Sequence, residues 1–213
     1  MIFTVAIDGP AAAGKGTIAR AIAAETGFAH LDTGLLYRAV ALRSLAGEDP
    51  VTAARGLDPV ALDDPRLRRP EVSQEASRIS AIPALREALF AVQRGFARRE
   101  GGAVMDGRDI GTVICPEAEA KLFVTASPEA RARRRWEELR AAGLGTSYEA
   151  TLEEVRARDA RDAARAVAPM RPAPDAVVID TSDLTVAEAV AAALAVVRDR
   201  LVAAEGSRRR QGA

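Results

Sequence analysis

The stretch IFTVAIDGPAAAGKGTIARAIAAETG opens the chain and constrains everything after it. Apolar and β-branched residues from Ile2 to Ile7 stop at Asp8, glycines at 9, 14 and 16 follow, and from Lys15 to Thr26 apolar residues recur at helical spacing up to Gly27. A strand that turns through glycines straight into a helix leaves unpaired backbone N–H groups at the positive helix end, a ready cradle for phosphate. Gly9, Gly14 and Lys15 have the G-x-x-x-x-G-K spacing of a phosphate-binding loop, with the Lys15 ammonium placed for β and γ oxygens. The usual pattern sets a hydroxyl directly after the lysine; here Gly16 stands there and the hydroxyl arrives at Thr17. Gly9, Pro10, Ala11, Ala12, Ala13, Gly14, Lys15, Gly16 and Thr17 are therefore the expected phosphate contacts.

The rest of the chain repeats the strand-then-helix rhythm. FAHLD leads into TGLLYRAVALRSLAG, with Asp32 or Thr33 starting the helix and Gly47 ending it. GAVMDGRD is a short strand ending at Asp106, AEAKLFVTAS precedes a helix that begins at Ser127 and Pro128, and DAVVID precedes a last helix through Ala204. PEVSQEASRISAI and PALREALFAVQRGFARRE read as two further helices separated at Pro83, and another helix runs from Tyr148 to about Val167. Five short strands each followed by a helix predict an α/β fold, a five-stranded parallel sheet with helices on both faces. One domain is expected over 1–204. Its core comprises about 1–40, 101–126 and 174–204, with an excursion at about 41–100, a lid at about 127–173, and a disordered basic tail at 205–213.

Charge and composition exclude several function classes. Across 213 residues the formal net charge is zero, which demands no nucleic-acid or membrane partner, and no apolar run is long enough to span a bilayer. A cytoplasmic protein is expected. One cysteine, Cys115, makes an internal disulfide or a cysteine-rich metal site impossible, and the single histidine, His30, reads as a satisfied strand-end side chain. Lys15 and Lys121 are the only lysines, so nearly all positive charge is arginine, whose planar fork suits phosphate.

Several of these arginines stand where chemistry is expected. In open α/β sheets ligands bind outside the carboxyl ends of the strands, and LDTGLLYR puts Thr33 and Arg38 at one such end. MDGRDIGTV brings Asp106, Arg108 and Asp109 to another. In RARDARDAARAVAP, helical spacing sets Arg158, Arg161, Asp162 and Arg165 on one face. A second cluster, Arg131, Arg133, Arg134 and Arg135, lies opposite, and a glycine-containing turn joins the two helices. That pairing suits an arginine lid closing over phosphates.

G-P-x-x-x-G-K-G-T resembles the loop of nucleoside monophosphate kinases, in which the threonine contacts phosphate and magnesium is held largely through water. With LDTGLLYR, REAL, DGRDIGTVI and RDARDAARAVAP, the resemblance is to the bacterial cytidylate kinases over nearly the whole length. It implies ATP-dependent phosphorylation of CMP and dCMP, with Mg2+ organised through water by Asp106. It also implies catalytic roles for Lys15, Arg108 and Arg165, and Arg134 on the ATP side. Ser77, Arg86 and Asp109 resemble the cytosine-recognising residues, and Arg158 and Asp162 the sugar-binding ones. Thr33, Arg38, Arg108 and Arg165 fall around the acceptor or its phosphate. Between Gly47 and Pro70 the chain is too short and too poor in alternating apolar residues for the small extra sheet associated with this family. A monomer acting on free nucleotides, not nucleic acid, is expected. Two other readings stand beside it: a shikimate-type small-molecule kinase, which needs a base for a neutral hydroxyl, and a nucleotide-dependent RNA-binding protein, for which 4% aromatic residues offer little stacking surface.

Overall fold

The computed structural model describes residues 1–58, 62–165 and 167–211. Its centre is a five-stranded sheet of β1 (Thr4–Asp8), β2 (Ala29–Asp32), β3 (Ala103–Gly107), β4 (Ala120–Thr125) and β5 (Val177–Asp180). The order is β2-β3-β1-β4-β5 and every pairing is parallel, as the alternation of strand and helix predicts. All carboxyl ends therefore share one rim, with β1 in the middle.

Period-two alternation decides which side chains meet which helices. Phe3, Val5 and Ile7 face α1 (Lys15–Thr26) and α8 (Val186–Gln211), in one cluster with Ile18, Ile22, Leu122 and Val197. Ala6 turns to the opposite face, with Met105, Ile110, Ile114 and Ala97. A fully buried Ile7 or Leu122 stabilises by about 1.5–3 kcal/mol, so a register slip of one residue, which swaps the faces, is strongly disfavoured.

Beyond the sheet, α2 (Thr33–Leu45), α3 (Pro50–Arg55), α4 (Pro70–Ile79) and α5 (Pro83–Ala97) pack into a separate helical cluster around Leu36, Val40, Ile79, Leu85 and Leu89. α4 and α5 break at Pro83, as read from the sequence. Among the described residues from 48 to 100 there is no strand, only helices and 3-10 turns, one of the latter at Pro65–Arg68. α6 (Pro128–Ala141) and α7 (Tyr148–Ala163) form a hairpin, capped by Ser127 and Ser147, which accept the Ala130 and Ala150 N–H groups.

Three expectations need correction. β3 is followed by a single π turn, Ile110–Ile114, not a helix, because Pro116 lies two residues beyond it and blocks continuation. α7 ends at Ala163 and not near Val167: the chain leaves the helix ahead of Pro169, with Ala168 at φ 53. The tail read as disordered continues α8 through Gln211. Ala, Glu and Arg are good helix formers, and a single Gly206 costs only about 1 kcal/mol. Ala213 and Gly212 lie outside the described residues. No helix among the described residues is long and apolar enough to cross a membrane.

Candidate active site

The loop between β1 and α1 builds the floor of the site. Gly9 has φ +143, and a Cβ there would lie 1.9 Å from the Val124 carbonyl oxygen, so this glycine is required by the neighbouring strand β4 and not by a ligand. Ala12 takes φ 59, a left-handed conformation that costs a non-glycine residue free energy and recurs at functional loops. The Lys15 ammonium donates to the Pro10 carbonyl at 2.6 Å. Burial drives the Lys15 pKa well down, and Arg108 adds to the effect, while Asp106 and Asp32 oppose it.

Two carboxylates stand at the rim above this floor. Asp32 ends β2 and caps α2, accepting the Gly34 N–H at 2.9 Å. Asp106, on β3, meets His30 Nε2 at 2.8 Å, which is the satisfied strand-end role expected of His30. Burial raises the Asp32 pKa and the charge of Asp106 raises it further. The Thr33 hydroxyl donates to the Asp106 carbonyl at 2.8 Å, and a Cβ on Gly107 would lie 2.6 Å from that hydroxyl. Only glycine lets β3 and the start of α2 approach so closely.

A cleft of about 270 Å³ opens between the loop, the β2 and β3 ends, α4, α5 and α7. It is lined by Ala11, Ala12, Gly14, Lys15, Gly16 and Thr17 on one side and by Thr33, Arg38, Ser77, Arg86, Asp106, Arg108, Asp109, Arg158 and Arg165 on the other. Arg86 and Asp109 form a buried ion pair at its end. Burial raises the Asp109 pKa, and Arg86 opposes the rise. The Ser77 hydroxyl and Arg158 Nε are buried without a hydrogen-bond partner, which is unusual for polar atoms and marks them as ligand-facing. Burial lowers the pKa of Arg158, Arg165 and Arg38 alike, and each also feels the repulsion of Arg108. Such a concentration of guanidinium charge is complementary to a polyanion.

Asp162 holds these arginines but does not line the cleft. At 1% exposure it accepts from Arg108 Nε at 3.1 Å and Arg165 at 2.5 Å. Burial pushes its pKa up, but Arg108, Arg165 and Arg158 outweigh burial and hold it below the ordinary value. Arg161 is exposed, so the face read from helical spacing is narrower than expected. The cluster at 131–135 is likewise dispersed around α6. Arg131 is buried against Asp159 and the Ala126 carbonyl, Arg133 is exposed, and Arg135 pairs with Glu138.

Arg134 belongs to a second hollow of about 260 Å³, beside Ala12, Ala13, Gly14 and Thr17 and walled by Ile18, Leu184, Val186 and Val190. It donates to the Thr181 hydroxyl at 3.0 Å and to the Thr181 carbonyl. Gly9 and Pro10 line neither space. The sequence reading missed Asp32, which it took only as a helix cap, and also Tyr37, Arg20, Thr181 and Glu138. A signal existed for two of them, since Asp32 and Thr181 lie at or just past the carboxyl ends of β2 and β5.

A glycine loop at the start of α1 on one side and gathered guanidinium on the other suit transfer of a phosphoryl group between two anions, and fold and site together define a P-loop kinase. Comparison with known sequences narrows the class. The chain belongs to the cytidylate kinase family, whose profile, described as Cytidylate kinase, matches residues 5–199. It is similar to a protein named cytidylate kinase from Cereibacter sphaeroides, 62% identical over 200 residues and covering 94% of this chain and 97% of that one. It is also similar to a cytidylate kinase from Xanthobacter autotrophicus, 55% identical over 202 residues, covering 92% and 97%. At the level of fold it is similar to the crystal structure of an uncharacterized protein from Eubacterium ventriosum. The TM-score is 0.55 at 13% identity, over 93% of this chain and 99% of that one.

Proposed function

We propose that the protein transfers the γ-phosphoryl group of ATP to the phosphate of CMP or dCMP, giving ADP and CDP or dCDP. The observation that carries the reading is the cleft itself. Its phosphate-binding loop faces four arginines, Arg38, Arg108, Arg158 and Arg165, and its far end holds an unpaired Ser77 hydroxyl beside the Arg86–Asp109 pair. ATP lies with its phosphates on the loop and its base in the hollow walled by Ile18, Leu184, Val186 and Val190, with Arg134 alongside. The acceptor lies with its phosphate among the arginines and its base toward Ser77, Arg86 and Asp109. Arg158 is assigned to the sugar; Asp162, expected beside it there, instead pairs with Arg108 and Arg165 and so holds the phosphate-facing arginines in place.

An acceptor phosphate oxygen attacks the γ phosphorus as the bond to the β–γ bridging oxygen breaks. The attacking oxygen is already anionic, so no general base is needed. Lys15 neutralises charge on the donor phosphates, while Arg108 and Arg165 neutralise it on the group in flight. Asp32 and Asp106, two carboxylates facing the loop, suit a hard, oxygen-preferring cation and would hold Mg2+ there. When bound, that cation offsets phosphate charge. Asp106 is fixed for this duty by His30, and Asp32 by the Gly34 N–H. The reading takes the protein as a cytoplasmic monomer acting on free nucleotides; its zero net charge gives no general attraction to nucleic acid.

The test is ADP release measured with CMP, dCMP, UMP, AMP and shikimate as acceptors. The two cytosine nucleotides should give the highest kcat/KM. Preference for shikimate, or ADP release that ignores the acceptor, would overturn the reading.

A further inference from the structure

Asp109 sits in the position where an aspartate ordinarily caps its own turn, and it does not do so. It immediately precedes the π turn Ile110–Ile114, with φ −147 and ψ 25, and its side chain accepts no backbone N–H of that turn. Its carboxylate instead pairs with Arg86, facing the acceptor end of the cleft. The N–H groups that it leaves are not orphaned. Asp8, the last residue of β1, accepts the Ile110 N–H at 2.7 Å and the Gly111 N–H at 2.8 Å, one on each carboxylate oxygen. Asp8 is 3% exposed, and burying a carboxylate there is unfavourable unless its hydrogen bonds do work that a neutral residue cannot. An asparagine in its place has one acceptor oxygen, not two, and turns its donor NH2 toward an N–H.

We infer that Asp8 is a positioning residue for acceptor selection: it caps the turn after β3 from outside, so that the Asp109 carboxylate is free to face the cleft. The cap also ties the acceptor end of the site to the residue directly before the phosphate-binding loop, since Gly9 follows Asp8. This inference rests on the reading above in one respect, that Asp109 meets the acceptor base. Cytosine offers an amino donor where uracil offers an acceptor oxygen, so an ionised carboxylate aimed at that edge favours cytosine. With Asp8 altered, Asp109 swings back to cap its own turn and the discrimination falls.

The experiment measures kcat and KM for CMP, UMP and ATP in the wild type, in Asp8→Asn and in Gly111→Ala. The second variant keeps Asp8 but sets a methyl 3.2 Å from the Lys121 Cδ and 3.4 Å from the Asp8 carboxylate oxygen, so that the capped turn is crowded from that side. In Asp8→Asn the CMP:UMP ratio of kcat/KM is expected to fall by at least about 5-fold, the scale of one lost base contact. The fall comes through the KM for CMP, with the KM for ATP little changed. Gly111→Ala should shift the ratio the same way, by less, and it decides the matter alone if Asp8→Asn does not fold. A wild-type preference for CMP that survives in both variants overturns the inference alone, and so does a KM for ATP that moves as far as that for CMP. A wild type with no preference between CMP and UMP overturns this inference and the acceptor reading together.

Discussion

Lys15 is the one cation of the phosphate loop, 6% exposed, and its ammonium already points along the loop to the Pro10 carbonyl. Burial makes that charge unfavourable until an anion joins it, so its worth is realised on phosphate and not in the fold. Lys15→Ala should therefore lower kcat by about 10²-fold or more, the range seen when one charge-stabilising donor is removed. Its melting temperature should not fall. Near-normal turnover in the folded variant would take the loop out of the mechanism. Legibility at this scale was uneven. Lys15, Thr33 and Asp109 were readable because their motifs sit at strand ends, whereas Arg86, on α5, was reached only through the family resemblance. The division of labour among Arg131, Arg133, Arg134 and Arg135 was not, because identical side chains one residue apart on a helix diverge by about 100° and tertiary packing alone decides which is buried.

The element with most at stake is α7. Arg158 reaches the Ser73 hydroxyl at 3.1 Å, Arg165 reaches the Ser80 hydroxyl at 2.7 Å, and Gln74 donates to Glu154 at 2.9 Å. The α6–α7 hairpin and the residues just after it are thus latched to α4 and its neighbourhood by neutral or singly charged hydrogen bonds, while the Arg158 guanidinium repels those of Arg38 and Arg108. Two bound nucleotides supply the missing negative charge. Amide exchange over Tyr148–Ala163 should slow by about 5-fold or more when a bisubstrate analogue binds, a coupling of ordinary size. Equal protection with and without the analogue would make α7 a static helix. The existence of α6 and α7 was legible from caps and periodicity. Their contact with α4 was not, because it joins segments about eighty residues apart through polar side chains that no pattern marks.

At the scale of the whole molecule, the sheet order puts β1 in the centre, and so buries the residue at its end. Burial raises the Asp8 pKa to about 6, with Asp109 adding to the rise; the Ile110 and Gly111 N–H groups and Lys15 oppose it, and Lys121 also packs beside Gly111. The unfolded value is the lower one, so between the two the native state holds a proton that the unfolded chain has released. Stability then falls as pH rises through this window and levels off above it. Relative to Asp8→Asn, the wild type should lose about 2 kcal/mol between about pH 4.5 and about pH 7.5 in denaturant titrations. A difference that does not move with pH would mean that Asp8 ionises as freely in the fold as outside it. The parallel sheet and its helix layers were legible from alternation alone, but this dependence was not, since it needs the strand order and not the strand list. The same architecture has an evolutionary consequence. The two hollows share only Ala12, Gly14, Thr17 and Glu138; the second otherwise draws on Ala13, α1, α6 and the 181–190 stretch, while the first adds Lys15 and Gly16 of the loop to α2, α4, α5, the β3 end and α7. On the proposed reading, mutation on α2, α4, α5 and α7 can thus rewrite what is phosphorylated while the loop and the second hollow are inherited unchanged, and a lineage can change acceptor without first giving up its energy source.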